Sequence, residues 1–468
     1  MRRGRNWFWL GLTYASYYLC RYNLSPVAPE LMNDLGLSKS QYGMINSGRD
    51  GLYAVGQMIN GLFTDRVGGK QAMTIGAIST VVLNLAFGFT TWGSFGLLLP
   101  LLIVIRSLDG YMQAFGAPGM IKINTAWFRR QERGAFAGIF GAMINIGHIG
   151  AGWLGTVLAK GMAIPLLFFT LTVPALNWRY MFFVPPIVVL VVVFLMNLNV
   201  KNHPEEAGYE VPHDDEVEDP KRKEGAAALP GAAPGSQKPE ERVRLRDVFR
   251  KIASNPIVWI VAGAYFCTGF VRRGVESWCY IYLDEVWHAD RTSWLYWMMF
   301  MSLPITATVG SLSSGYISDL WFNGRRAPVA AILYLAQLFF TIVAMMLPQG
   351  TAGSAAPWIA VSSIIMISMM CNSTHSILGT AAAMDLGGRK MAGCAAGIID
   401  SFQYYGALIS GYGLGVVFEA AGVMKKEDGS VVLDPRIWFG SMIPFGLLGA
   451  GLMIYLWRKH GTSGTRGT

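Results

Sequence analysis

The chain has 468 residues, of which 53% are hydrophobic and only 14% charged, and its mean hydropathy is +0.37. Soluble domains carry about 25% charged residues, so the composition excludes an ordinary water-soluble protein and makes lipid the solvent for most of the chain. The formal net charge of +9 is not read as nucleic-acid binding, because the basic residues fall where a membrane topology would put them.

A hydrocarbon core about 30 Å thick takes about 20 apolar residues per helical crossing. Segments of that length predict α-helices rather than barrel strands, since each backbone amide in lipid must be satisfied internally. In the first half the predicted spans are 7–29, 42–63, 71–90, 96–118, 134–158 and 178–198, with 118–128 extending the fourth past the membrane surface. Residues 201–252 are charged and rich in Pro, Gly and Ala; they read as a flexible linker, ending in a short amphipathic helix at 245–252. The second half offers spans 256–283, 292–318, 327–347, 355–383, 391–420 and 438–457. The expected fold is an all-α polytopic membrane protein of twelve transmembrane helices. It divides into a six-helix bundle (1–200), the linker (201–252), a second six-helix bundle (253–460) and a tail (461–468).

Orientation follows from Lys and Arg. One set of connections carries Arg2, Arg3, Arg5, Arg66, Lys70, Arg129, Arg130, Arg133, Arg325, Arg326, Arg389, Lys390, Arg458 and Lys459. The opposite set carries only Lys39, Lys160, Arg179, Arg291, Lys425, Lys426 and Arg436. The positive-inside rule then predicts both termini and the linker in the cytoplasm. The basic N-terminus runs straight into a full-length span with no small-residue cleavage site, which argues for a retained helix. Cys20, Cys267, Cys279, Cys371 and Cys394 all fall inside spans and lack metal-ligand spacing, so neither disulfides nor a metal site is expected.

The halves repeat a pattern. Gly61-Leu-Phe-Thr-Asp65-Arg66-Val-Gly68-Gly-Lys70 follows the second span and Gly315-Tyr-Ile-Ser-Asp319 follows the eighth, their aspartates 254 residues apart. Arg21 and Arg272 stand 251 apart in the first span of each half. Parallel repeats with a site near the midplane between them are the major facilitator pattern, and the Gly61–Lys70 segment resembles that superfamily's cytoplasmic loop signature. Asp65, Arg66, Arg133 and Asp319 are accordingly candidate gating residues, the other account being that they anchor turns.

A narrower resemblance rests on Tyr17-Tyr18-Leu-Cys-Arg21-Tyr-Asn23, on Gly110-Tyr-Met-Gln113-Ala-Phe-Gly116-Ala-Pro118, and on Trp127-Phe-Arg-Arg-Gln-Glu132-Arg133-Gly134. Asn202-His-Pro204-Glu-Glu-Ala-Gly208, Arg272-Arg273-Gly274 with Trp278, and Lys390-Met-Ala-Gly393 extend it. In these segments the chain resembles the organophosphate:phosphate antiporters, the family of the bacterial glycerol-3-phosphate and hexose-phosphate transporters. The resemblance implies exchange of an organic phosphate for inorganic phosphate, with Arg21 and Arg272 on the phosphate and a bacterial inner membrane as the location. It also leaves open a non-transporting sensor on the same fold, and a proton-driven carrier of another organic anion.

The physics of arginine points the same way. An arginine inside a span costs several kcal/mol unless it meets a wet cavity or a counter-charge, and its planar fork grips phosphate bidentately. Tyr14, Tyr18 and Arg21 share one helical face, a wall suited to a small organic body or to plain packing. Glu276 lies one turn beyond Arg272, where it either neutralises that arginine or opens and closes with anion binding. Asp400 and Gln403 share a face of the eleventh span and are candidates to contact the substrate body or one of the arginines. Arg49 and Asp50 are expected to pair structurally, Asp109 stands where the family often has asparagine, and Lys122 aligns with a basic position near the cytoplasmic mouth.

Two positions depart from the glycerol-3-phosphate transporter. Its histidine before the asparagine matching Asn145 is Ile144 here, with His148 one turn on as a substitute, and a lysine of its second span is Gln57. Glycerol 3-phosphate itself is therefore a doubtful substrate. No G-x-x-x-x-G-K-[ST] loop or H-E-x-x-H helix occurs, so ATP hydrolysis and zinc catalysis are not expected. No cofactor is called for, and the expected partners are anionic solutes and lipid, with the chain a monomer.

Overall fold

A computed structural model describes residues 2–93, 97–127, 133–160, 162–165, 170–174, 176–209, 254–289, 293–322, 325–347, 355–421 and 433–461. The amphipathic helix expected at 245–252 lies outside them.

The first helix, α1 (Arg2–Arg21), stops inside the molecule, whereas the sequence predicts one span to residue 29. Pro26 explains the break: it lacks an N–H and disfavours helical geometry in the residue before it. The chain turns through a 3₁₀ segment, Ser25–Val27, into a short helix, α2 (Ala28–Leu35). Next, α3 (Lys39–Val67) starts from a capping box in which Ser38 and Gln41 satisfy each other's backbone. It is followed by α4 (Gly69–Thr90), α5 (Leu98–Gln113) and α6 (Gly116–Trp127). The last two were expected as one continuous helix; a turn at Ala114 and Phe115 divides them.

Helix α7 (Arg133–Lys160) leads to a hairpin absent from the all-helical expectation, β1 (Met162–Pro165) antiparallel to β2 (Thr170–Val173), with Met162 opposite Val173. A 3₁₀ segment, Trp178–Phe182, enters α8 (Val184–Asn199). The second half contains α9 (Pro256–Glu285), α10 (Trp294–Trp321), α11 (Arg326–Met345) and α12 (Ala356–His375). A π-helical stretch, Ser376–Ala382, joins α12 to α13 (Ala383–Ala421), and α14 (Pro435–Gly461) completes the bundle.

Among the described residues, seven helical stretches are long and apolar enough to cross a membrane by length and composition alone. Three helices outside that set are α1, α3 and α9, which carry Arg21, then Arg49 and Asp50, then Arg272, Arg273 and Glu276. These polar groups turn inward, while Val82, Leu97, Phe194, Leu312 and Phe339 stand exposed on the outer surface where lipid would cover them. The most polar helices thus build the interior.

Helix α3 lies along α13, and α9 packs on α13 and α14. The approach of α3 to α13 is so close at Gly43 that a Cβ there would overlap the Gly411 carbonyl. The end of the bundle opposite the termini is sealed by polar contacts around this crossing. Lys39 Nζ meets Glu285 Oε1 at 2.9 Å, Ser40 N donates to Glu419 Oε1 at 2.8 Å, and the Tyr42 hydroxyl donates to Ser277 O at 3.2 Å.

Candidate functional site

The site begins with the interrupted first helix. Because α1 ends in the interior, its last carbonyls have no partners from a further turn. Two arginines take them: Arg106 Nη1 donates to Cys20 O at 3.2 Å and Nη2 to Arg21 O at 2.9 Å, while Arg49 Nη1 donates to Arg21 O at 2.7 Å. Cations at a helix C-terminus also complement its dipole. These contacts fix the backbone from which the Arg21 side chain springs.

Arg106 is held by Asp109 at 3.2 Å and by Asn23 Oδ1 at 3.1 Å. The Asp109 carboxylate accepts Gln113 Nε2 at 3.1 and 3.0 Å, which orients the amide so that Gln113 Oε1 accepts from Arg21 Nε at 2.9 Å. Among the described residues the Arg21 guanidinium therefore meets a neutral oxygen and no carboxylate. It lies over the rings of Tyr18 and Tyr53, 4.5 and 4.4 Å from their centroids, favourable cation–π contacts. It is 5% exposed, and its Nη2 has no hydrogen-bond partner among the described residues. A buried charged donor left open in this way is costly unless a ligand satisfies it.

Across from it, α9 presents a coupled set. Arg272 Nε donates to Glu276 Oε1 at 3.0 Å and Arg273 Nη1 to Glu276 Oε2 at 3.2 Å. Arg273 also reaches the other half, with Nη2 on Asp50 Oδ1 and Nε near Oδ2, both at 2.6 Å. Asp50 holds Arg49 at the same time, at 3.0 and 2.5 Å. The expected Arg49–Asp50 pair is thus one part of a bridge between the halves. Arg49, Arg106, Arg272 and Arg273 contact Asp50, Asp109 and Glu276, while Arg21 meets no carboxylate among the described residues.

Between these groups lies a cavity of about 160 Å³. The first half lines it with Tyr18, Arg21, Tyr22 and Asn145, and α9 contributes Arg272, Arg273 and Glu276. Ser311, Asn372, His375, Gln403 and Tyr404 form the remaining polar wall. Six of the sequence candidates therefore meet around one space: Tyr18, Arg21, Asn145, Arg272, Glu276 and Gln403.

Others stand apart. Tyr14 packs edge-on behind Tyr18 at 5.6 Å between centroids. His148 stacks on Tyr22, at 4.0 Å and 16°, and borders a smaller adjoining cavity with Tyr22 and Glu276. Asp400 sits beside Tyr265, whose hydroxyl bonds His375 Nδ1, behind the wall rather than on it. Arg66 is exposed near the terminal end and shares a separate cavity of about 220 Å³ with Lys122 and Asn202. The side chains of Asp65, Arg133 and Asp319 lie outside the described residues.

Sequence reasoning passed over Arg106 and the separate role of Arg273. Both are arginines inside apolar runs, so the rule that singled out Arg21 could have found them. Tyr22, Tyr404, Asn372 and His375 gave a weaker signal, as ordinary polar residues in long helices.

With this fold and this cavity in view, comparison with known proteins is decisive about family. The Major Facilitator Superfamily model matches residues 10–411, and the chain belongs to that superfamily. A "Probable hexose phosphate transport protein" of Chlamydia trachomatis is 26% identical over 89% of this chain and 85% of its own length. The "Hexose-6-phosphate:phosphate antiporter" of Escherichia coli K12 is 25% identical over 94% of this chain and 86% of its own. A "Membrane sensor protein UhpC" of Salmonella typhimurium is 26% identical over 88% and 84%. These relatives match the organophosphate:phosphate antiporter family, as the segments around Arg21 and Arg272 led one to expect. Among solved structures, a bacterial homologue of the human lysosomal transporter Spinster, inward-facing and unoccupied, superposes with a TM-score of 0.69 over 97% of this chain and 95% of its own. At 16% identity that likeness shows the fold alone.

Proposed function

We propose that the protein exchanges an organic phosphate for inorganic phosphate across a membrane by alternating access. The observation that carries this reading is the open, buried Arg21 guanidinium on the same cavity as Arg272, with no carboxylate of its own among the described residues. A phosphate dianion would meet the uncompensated Arg21 charge and the forked donors that suit it best. The organophosphate relatives support the same substrate class.

Charge also explains why exchange should be obligatory. An empty site leaves the positive charges facing one another in low dielectric, which opposes closure of the halves, whereas a bound phosphate cancels them and permits the rocking motion. In this reading the far-end seal is one state of the cycle. Glu276 exchanges arginine contacts during it, while Asp65, Arg66, Arg133 and Asp319 act at the terminal end. The halves 1–200 and 253–460 move as the two bodies, in a bacterial inner membrane with both termini cytoplasmic, and a single chain suffices.

Labelled phosphate taken up by proteoliposomes loaded with phosphate, but not by empty ones, is the expected result, with inhibition by an organic phosphate. Equal uptake into empty vesicles would contradict exchange. A second reading has its own support, since a membrane sensor is as similar as the transporters. A chain that binds an organic phosphate and exchanges nothing is that sensor.

A further inference from the structure

The terminal end of the bundle holds a second cavity, of about 220 Å³, larger than the central space of about 160 Å³. Its wall comes from separate stretches of chain: Arg66 in the last turn of α3, Gly68 and Gly69 at the entry to α4, Lys122 on α6, and Asn202 with His203 in the segment after α8. Among the described residues, every charged side chain on that wall is cationic.

The Asn202-His-Pro204-Glu-Glu-Ala-Gly208 segment, which the central site does not use, closes this space. Asn202 Oδ1 accepts Lys70 N at 2.8 Å, so the segment caps the first turn of α4 from outside the helix. Glu206 is drawn back onto Asn202 N at 3.3 Å. Gly68 makes the turn between α3 and α4 at φ 90°, a backbone region open to glycine. The start of α4 sits tightly on α6, since a Cβ at Gly69 would come within 2.5 Å of Gly119 O. Thr64 O accepts both Gly68 N at 2.9 Å and Lys122 Nζ at 3.2 Å, which draws the ammonium to the end of α3. The Lys70 ammonium turns to Asn197 O at 2.7 Å and leaves the cavity to the other groups.

An ammonium, a guanidinium, an imidazole and the positive end of a 22-residue helix thus converge on one space. Like charges brought together repel, and an anion between them relieves the repulsion. A carboxylate offers two oxygens in one plane, whereas donors arriving from several directions suit the tetrahedral oxygens of a phosphate, and a helix N-terminus is a further phosphate-binding element. We propose that this cavity is a second anion site, apart from the central one, that takes a phosphate group on Arg66, Lys122 and His203. The group belongs to a free phosphate ion or to the headgroup of an anionic phospholipid. Both sources meet this end of the bundle, whose basic connections predict the cytoplasmic side, where basic pockets between helices take lipid headgroups. The inference does not depend on the organophosphate reading.

The test uses the delipidated full chain in detergent, with Arg21→Gln/Arg272→Gln removing the central arginines. Labelled inorganic phosphate is titrated by equilibrium dialysis, and dihexanoyl phosphatidylglycerol is titrated with binding counted by native mass spectrometry. Dihexanoyl phosphatidylcholine is the zwitterionic control. His203 is exposed, so its substitution leaves the fold intact. In this background the ligand should bind about threefold or more tightly to His203→Lys and about tenfold or more weakly to His203→Glu. Lys122→Gln should weaken it and Lys122→Arg should keep it. Phosphate binding with this dependence assigns the site to the free anion; binding of the glycerol lipid alone, and not of the choline lipid, assigns it to a headgroup. If neither phosphate nor the glycerol lipid binds, or if binding ignores the charge at residues 122 and 203, the inference is overturned. The central site is judged separately, by whether Arg21→Gln/Arg272→Gln loses a phosphate that wild type binds.

Discussion

Replacing Asp50 by Asn keeps the shape of the side chain and removes its charge. Asp50 is 1% exposed and holds Arg49 at 3.0 and 2.5 Å and Arg273 at 2.6 Å. The substitution removes the carboxylate that Arg49 and Arg273 share and leaves Arg272 and Arg273 on Glu276. Taking one partner from a buried pair costs about 3–5 kcal/mol. Since Arg273 is the partner on the other half, roughly half of that, about 2 kcal/mol, is lost from contacts that hold the halves together. The equilibrium between the sealed and open far end then shifts by about 30-fold.

Cys279 reports on this shift, because it is buried on α9 and borders the small cavity shared by Tyr22 and Glu276. With Cys279 kept as the sole cysteine, its modification by a membrane-impermeant maleimide from the side opposite the termini should accelerate about tenfold or more in Asp50→Asn. An unchanged rate in a variant that still folds would mean that the Asp50–Arg273 contact does not hold the halves together.

Three other outcomes follow from the same geometry. Gln113→Glu puts a carboxylate where a neutral oxygen now meets Arg21 at 2.9 Å, so the KM for phosphate should rise about tenfold or more; an unchanged KM means that Arg21 does not hold the anion. Gly269→Val forces α9 away from the Gln403 backbone and should cost about 1–3 kcal/mol, read as a lower midpoint in thermal unfolding of the detergent-solubilised protein; an equal midpoint would contradict the contact. His148→Phe keeps the stack on Tyr22 and should hold phosphate affinity within about twofold, since the ring borders only the adjoining cavity; a tenfold loss would place His148 on the ligand.

The sequence revealed the architecture where one physical constraint dominated. Runs of about 20 apolar residues have few fates, so the helices α4, α10 and α11 match their predicted spans closely. Arg21 and Arg272 stood out because arginine is expensive in lipid. The break after Arg21 was visible in Pro26 but was overridden by the apolar run around it. Tyr14, Tyr18 and Arg21 do share a face, yet only the last two reach the cavity, because that face runs from packing contacts into the site. The link from Asp50 to Arg273 could not be read at all: it joins residues 223 apart, and no local periodicity relates them. The same holds for the Asp109–Gln113–Arg21 relay, whose first link is one helical turn but whose meaning depends on α5 packing against α1.

Exchange on this site requires Arg21 and Arg272 to grip phosphate as forked cations. The most direct test is phosphate:phosphate exchange in loaded proteoliposomes for wild type, Arg21→Lys and Arg272→Lys, each shown to be folded. Lysine keeps the charge but loses the planar fork. Exchange by wild type that falls by about a hundredfold in both variants is the predicted result. Wild-type rates in either lysine variant would contradict the account.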